Sequence, residues 1–113
     1  MINLEKRVLH VVLTYLLKMT NKRVYKLSKD VLIRYEESID SGTFFIFNVV
    51  SEELWCGNKS SRFLVGLIDE KNNTEEIKEK LGSILGVGLS VDLSISVDNI
   101  LTELLEKRMI VLE

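Results

Sequence analysis

The sequence predicts an α+β chain in which a small antiparallel sheet is followed by helices only. Three observations carry this. Apolar residues recur at three- and four-residue steps over residues 3–19; short β-branched and aromatic runs separated by turn residues fill 24–56; helical periodicity returns after residue 58. With 113 residues, 46% of them apolar, the chain is long enough for one sizeable core and too short for two ordinary domains.

The first stripe consists of Leu4, Val8, Leu9, Val11, Val12, Tyr15, Leu16 and Met19, widened by Leu13 and Leu17, and predicts an N-terminal helix. The β-branched cluster of Val8, Val11 and Val12 keeps a strand reading open. Val24, Tyr25 and Leu27, then Val31, Leu32, Ile33 and Tyr35, are β-prone runs broken by Ser28, Lys29 and Asp30. Residues 38–42 form a turn cluster. Residues 43–50 read Thr-Phe-Phe-Ile-Phe-Asn-Val-Val, too short for a buried helix and rich in aromatic and branched side chains, and make the central strand. Ser51 and Glu52 turn the chain into a third short strand over residues 53–56, which Gly57 and Asn58 stop.

Asn58 or Ser60 then caps a helix through Phe63, Leu64, Leu67 and Ile68. Asn73 or Thr74 caps a second, with Leu81, Ile84 and Leu85 on its inner face and Gly86 and Gly88 at its end. Leu89, Val91, Leu93 and Ile95 alternate with polar residues and read as a loop, so that Ser96 opens the third helix, which carries Val97, Ile100, Leu101, Leu104 and Leu105. Residues 109–112 read as a closing strand. A three-stranded antiparallel sheet followed by three helices, with an extra N-terminal helix, is the layout of winged helix-turn-helix domains.

Composition narrows the function classes. Fifteen Lys and Arg against seventeen Asp and Glu give a net charge of −2, which lacks the basic field that supplies affinity for a phosphate backbone. One Cys and one His build neither a disulfide nor a zinc site without carboxylates, so the expectation is a reducing cytoplasm, no metal and no cofactor. The apolar run over residues 8–17 is too short to span a bilayer and is followed by no small-residue cleavage site. His10 has no carboxylate pattern beside it and reads as packing or surface polarity. Cys56, next to Trp55 and with no second thiol or His nearby, reads as a small buried hydrophobe. The acidic pairs Glu36–Glu37, Glu52–Glu53, Asp69–Glu70 and Glu75–Glu76 are adjacent in sequence and point apart, as solvated charge does. No catalytic constellation assembles from this inventory. What remains is binding: if the strand over residues 53–56 lies at the sheet edge, its free N–H and C=O groups accept an extended peptide, with the last helix forming the other wall.

The order of motifs in GTFFIFNVVSEELWCGNKSSRFLVGLIDEKNNTEEIKEKLG and SVDNILTELLEKRMI resembles the PqqD-like family, the RiPP recognition elements that bind leader peptides of ribosomally made natural products. Leu54, Trp55, Asn58 and Ser60 or Ser61 match the family's step from hairpin to helix. Leu67, Ile68 and Asp69 match the end of the first helix, and Thr74, Glu75, Glu76 and Ile77 the start of the second. Val97, Ile100, Leu101, Leu104 and Leu105 match the last helix. The likeness covers roughly residues 30–112. Glu70 stands where the family has Gly, Ser96 where it usually has Asp and Arg108 where a closing Gly is common, and the loop over residues 86–95 is longer.

The resemblance implies two parts, an N-terminal helical extension over residues 1–22 and a winged-helix peptide-binding domain over 23–113. It implies a non-catalytic protein that takes a precursor's leader peptide as an added strand and presents it to a modifying enzyme of the radical SAM or protease type. Its peptide-binding positions fall on Glu53, Leu54, Trp55 and Cys56 of the strand and on Val97, Ile100, Leu101, Leu104 and Lys107 of the helix. The alternative is a small winged-helix DNA-binding transcription regulator, against which Asp98, Glu103 and Glu106 on the last helix argue. A homodimer assembled through the N-terminal helix is compatible with the leader-binding reading; nucleic acid and membrane are not expected partners.

Overall fold

A computed structural model describes residues 7–9, 11–12, 24–69 and 71–112. The described elements are five strands, β1 (Tyr25–Leu27), β2 (Val31–Glu36), β3 (Thr43–Asn48), β4 (Glu53–Asn58) and β5 (Ile110–Leu112), and three helices, α1 (Ser61–Gly66), α2 (Thr74–Leu85) and α3 (Val91–Glu106). The chain is α+β. Residues 7–9 and 11–12 are helical and exposed, in keeping with the expected N-terminal helix; the rest of that segment, His10 included, lies outside the described residues.

Strands β2, β3 and β4 form an antiparallel meander in that order. The β2–β3 reversal needs left-handed backbone at Asp40, Ser41 and Gly42, with φ of 47°, 62° and 123°, and the Thr43 hydroxyl donates to the Ile39 carbonyl to close it. At Gly42 the positive φ favours glycine, and a β-carbon would also crowd the Tyr35 hydroxyl. Between β3 and β4, the Asn48 side chain accepts from the amides of Val50 and Ser51 at 2.9 and 3.0 Å, which is how an Asn stabilises a turn. Strand pairing then sorts the side chains: Tyr35, Phe44, Ile46 and Trp55 share the inner face, while Leu32, Phe45, Phe47, Leu54 and Cys56 share the outer one. The inner face meets Leu64, Val65, Ile77, Leu81, Val97, Leu101 and Leu104 in one core.

Short β1 and β5 make a second, two-stranded antiparallel sheet, with Tyr25 opposite Leu112, which ties the start of the domain to the stretch after α3. Tyr25 is fully buried and its hydroxyl shares a 3.0 Å hydrogen bond with that of Thr74.

The helix boundaries correct several expectations. α1 starts at Ser61, and its N-cap Ser60 makes no side-chain cap; Asn58 stays in β4 and its Oδ1 accepts from the amides of Ser60 and Ser61. α2 opens on a complete capping box, with Asn73 and Glu76 satisfying each other's amides, and closes on Gly86 in the left-handed region at φ 71°. α3 begins five residues before Ser96. Ser90 is its cap, accepting from the Leu93 amide at 3.1 Å, so the apparent alternation of Leu89, Val91, Leu93 and Ile95 straddles a helix start. α3 ends with Arg108 at φ 56°, where the Arg108 amide donates to Leu105 and the Met109 amide to Leu104. That is the Schellman pattern formed without glycine. Its strain is offset by Asn48 Nδ2, which donates to the Arg108 carbonyl at 2.8 Å.

Candidate functional site

Among the described residues β4 has a strand on one side only, β3, with which it pairs from Thr43–Asn58 to Asn48–Glu53. Its other side faces α3. The Lys107 ammonium donates to the Leu54 carbonyl at 2.9 Å, so this carbonyl points away from β3. Because N–H and C=O of one residue in an antiparallel strand point the same way and alternate along it, Leu54 and Cys56 both direct backbone groups to the free side.

One step along the strand, Trp55 turns inward, buried to 5% exposure, and its indole Nε1 donates to Glu103 Oε2 at 2.9 Å. Glu103 and Lys107 are one helical turn apart, and Ser96 and Ile100 continue the same line. These four residues make the α3 wall of a groove whose opposite wall is β4. Strand and helix run antiparallel, with Leu54 beside Lys107 at one end and Asn58 beside Ser96 at the other.

At the Asn58 end the groove deepens into a cleft of about 200 Å³. Asn58, Ser60 and Ser61 form its rim, and Leu64, Leu81, Leu85, Leu93, Val97 and Ile100 line it, so its depth is apolar. A helix-to-helix ion pair, Lys78 Nζ to Asp98 Oδ1 at 3.0 Å, fixes α2 against α3 behind the groove.

The expected site residues divide by burial. Leu54 and Cys56 are exposed, and Glu53, Ile100 and Lys107 are half-buried; these five have surface to offer a ligand. Trp55, Val97, Leu101 and Leu104 are at 5%, 1%, 0% and 0% exposure. Leu101 and Leu104 belong to the core stripe of α3, and Trp55 and Val97 support the groove from beneath. Cys56 is corrected from buried to exposed: alternation gives the inner position to its neighbour Trp55. Sequence reasoning passed over Glu103 and Leu93. Once α3 is started at Val91, the spacing of residues 96, 100, 103 and 107 shows them on one face.

The groove's chemistry is backbone donors and acceptors, one cation, one carboxylate and an apolar recess. Among the described residues no group of three or more His, Cys, Asp and Glu side chains is placed to hold a metal ion, and no helix is long and apolar enough to cross a membrane. The chain matches no family model, no curated protein and no solved structure.

Proposed function

We propose that the chain is a leader-peptide recognition protein with a winged-helix-like domain, which binds the precursor of a ribosomally made, modified peptide as an added strand on β4 and presents it to the modifying enzyme. The observation that carries this reading is the free side of β4 facing the Ser96–Ile100–Glu103–Lys107 line of α3. Backbone pairing there supplies affinity that does not depend on side chains, and the apolar cleft at the Asn58 end supplies selectivity for a bulky aliphatic or aromatic side chain. In this mechanism the Lys107 ammonium, which holds the Leu54 carbonyl in the free protein, gives way to a peptide N–H. The released cation then meets an acidic side chain of the leader.

The test is a titration with a synthetic leader taken from a short precursor reading frame neighbouring the gene. Trp55 is the chain's one tryptophan and lies against the groove, so its fluorescence reports occupancy alongside calorimetry. The expected dissociation constant is micromolar or below, worth about 8 kcal/mol. Absence of saturable binding by both readouts overturns the proposal.

A further inference from the structure

The α2–α3 corner is an apolar surface that leader binding does not use. Ile84, Val87, Leu89, Val91 and Ile95 are 49–76% exposed. Between residues 83 and 95 the only charge is Asp92. A shallow groove of about 280 Å³ runs through this corner, bordered by Glu75, Leu89, Val91 and Ile95. Lys78 also borders it, with its ammonium held by Asp98, so Glu75 sets the sign of the rim, which is negative.

The opposite character sits at the N-terminus. Val8, Leu9, Val11 and Val12 lie on helical backbone at three- and four-residue spacing and are 45–67% exposed. Residues 1–23 hold five Lys and Arg against one Glu, whereas residues 24–113 hold ten against sixteen Asp and Glu. The N-terminal segment is therefore basic in sequence and carries exposed apolar side chains on its described helical residues, and the body is acidic with an apolar groove. Among the described residues both surfaces are exposed, and a monomer seldom leaves contiguous apolar patches of this kind uncovered.

We propose that a second copy of this chain covers the corner with its N-terminal helix, in a reciprocal two-fold dimer. The two-fold arrangement closes both helices and both grooves at once, and the charge asymmetry favours helix on body over helix on helix. Val91 and Ile95 lie on the side of α3 opposite Ser96, Ile100, Glu103 and Lys107, so the dimer leaves the β4 groove free.

The test measures mass and contact on the full chain. Light scattering on wild type is expected to give twice the 13.0 kDa chain mass at micromolar concentration, and Val12→Asp or Ile95→Asp to return it to 13.0 kDa with an unchanged far-UV circular dichroism spectrum, since both side chains are exposed. In a Cys56→Ser background, oxidation of a chain carrying Val12→Cys and Ile95→Cys is expected to yield a covalent dimer on a non-reducing gel, well above either single variant. A monomeric wild type overturns the proposal. So do an intrachain disulfide, which would mean the helix folds back on its own body, and sedimentation of a monomer with anionic vesicles, which would mean the helix serves a lipid surface. Leader affinity unchanged in Val12→Asp separates this test from that of the peptide groove.

Discussion

Replacing Asn48 with alanine is expected to destabilise the domain by about 3 kcal/mol. Asn48 is 3% exposed and its side chain makes three hydrogen bonds, two received from the Val50 and Ser51 amides and one given to the Arg108 carbonyl. Leaving the Arg108 carbonyl without this donor costs about 1–3 kcal/mol, and each turn amide loses a net bond worth roughly 0.5–1.5 kcal/mol, softened by access to water. At about 4 °C per kcal/mol for a domain of this size, the melting temperature falls by roughly 12 °C. Urea denaturation followed by far-UV circular dichroism measures it, and the slope should stay that of wild type. Asn48→Asp keeps both acceptors but loses the donor and sets a carboxylate against a carbonyl, so it is expected to cost at least as much. A loss for Asn48→Ala below about 0.5 kcal/mol, the size of an ordinary surface change, refutes the idea that this side chain joins the β3–β4 turn to the end of α3.

Three further outcomes are expected. Lys78→Met strands Asp98 beside α2 and should cost about 3 kcal/mol, while Lys78→Met with Asp98→Leu recovers most of it; a thermal-melt double-mutant cycle without coupling counts against the ion pair's role. Burial, with a smaller contribution from the Asp98 charge, pushes the Tyr25 phenol above its ordinary value of 10.0, against the opposing hydrogen bond with Thr74. The folded state thus keeps its proton where the unfolded chain loses it: the stability contribution is intact below pH 10.0 and declines as pH rises beyond it. Tyr25→Phe should remove that decline from a series of alkaline denaturant melts, and a decline that persists unchanged places its cause elsewhere. Cys56→Pro deletes a backbone donor on the free side of β4 and keeps the pairing with β3, so it should weaken leader binding about two- to tenfold with little loss of stability; an unaltered dissociation constant argues against strand addition there.

Much of the fold was legible locally. The strands at β2 and β3 announced themselves through aromatic and branched runs between turn residues, and the cap of α2 was legible as Asn73 or Thr74, of which the structure uses Asn73. The start of α3 was misread because Leu89, Val91, Leu93 and Ile95 mimic a two-residue period, and only the Ser90 hydroxyl on the Leu93 amide reveals a helix already under way. At Arg108 the missing glycine put the helix cap in question; the backbone adopts the left-handed turn regardless, held by Asn48 sixty residues away. The site was half legible. Leu54 and Lys107 meet across the groove, but Leu101 and Leu104 face the core, and Glu103, counted in the sequence only as charge against nucleic acid, holds the Trp55 indole.

Short-range periodicity and capping, set by the pitch of a helix and the pleat of a strand, determined which segments of this protein are helix or strand and which side chains prefer the interior. Only the assembled tertiary structure decided that, among the described residues, β4 pairs with a strand on one side only, that α3 lies antiparallel along the other, and that Lys107 and Glu103 reach across. Those facts depend on pairings between residues some fifty positions apart, whose free energy comes from packing the whole core and leaves no trace in the local pattern of any one segment.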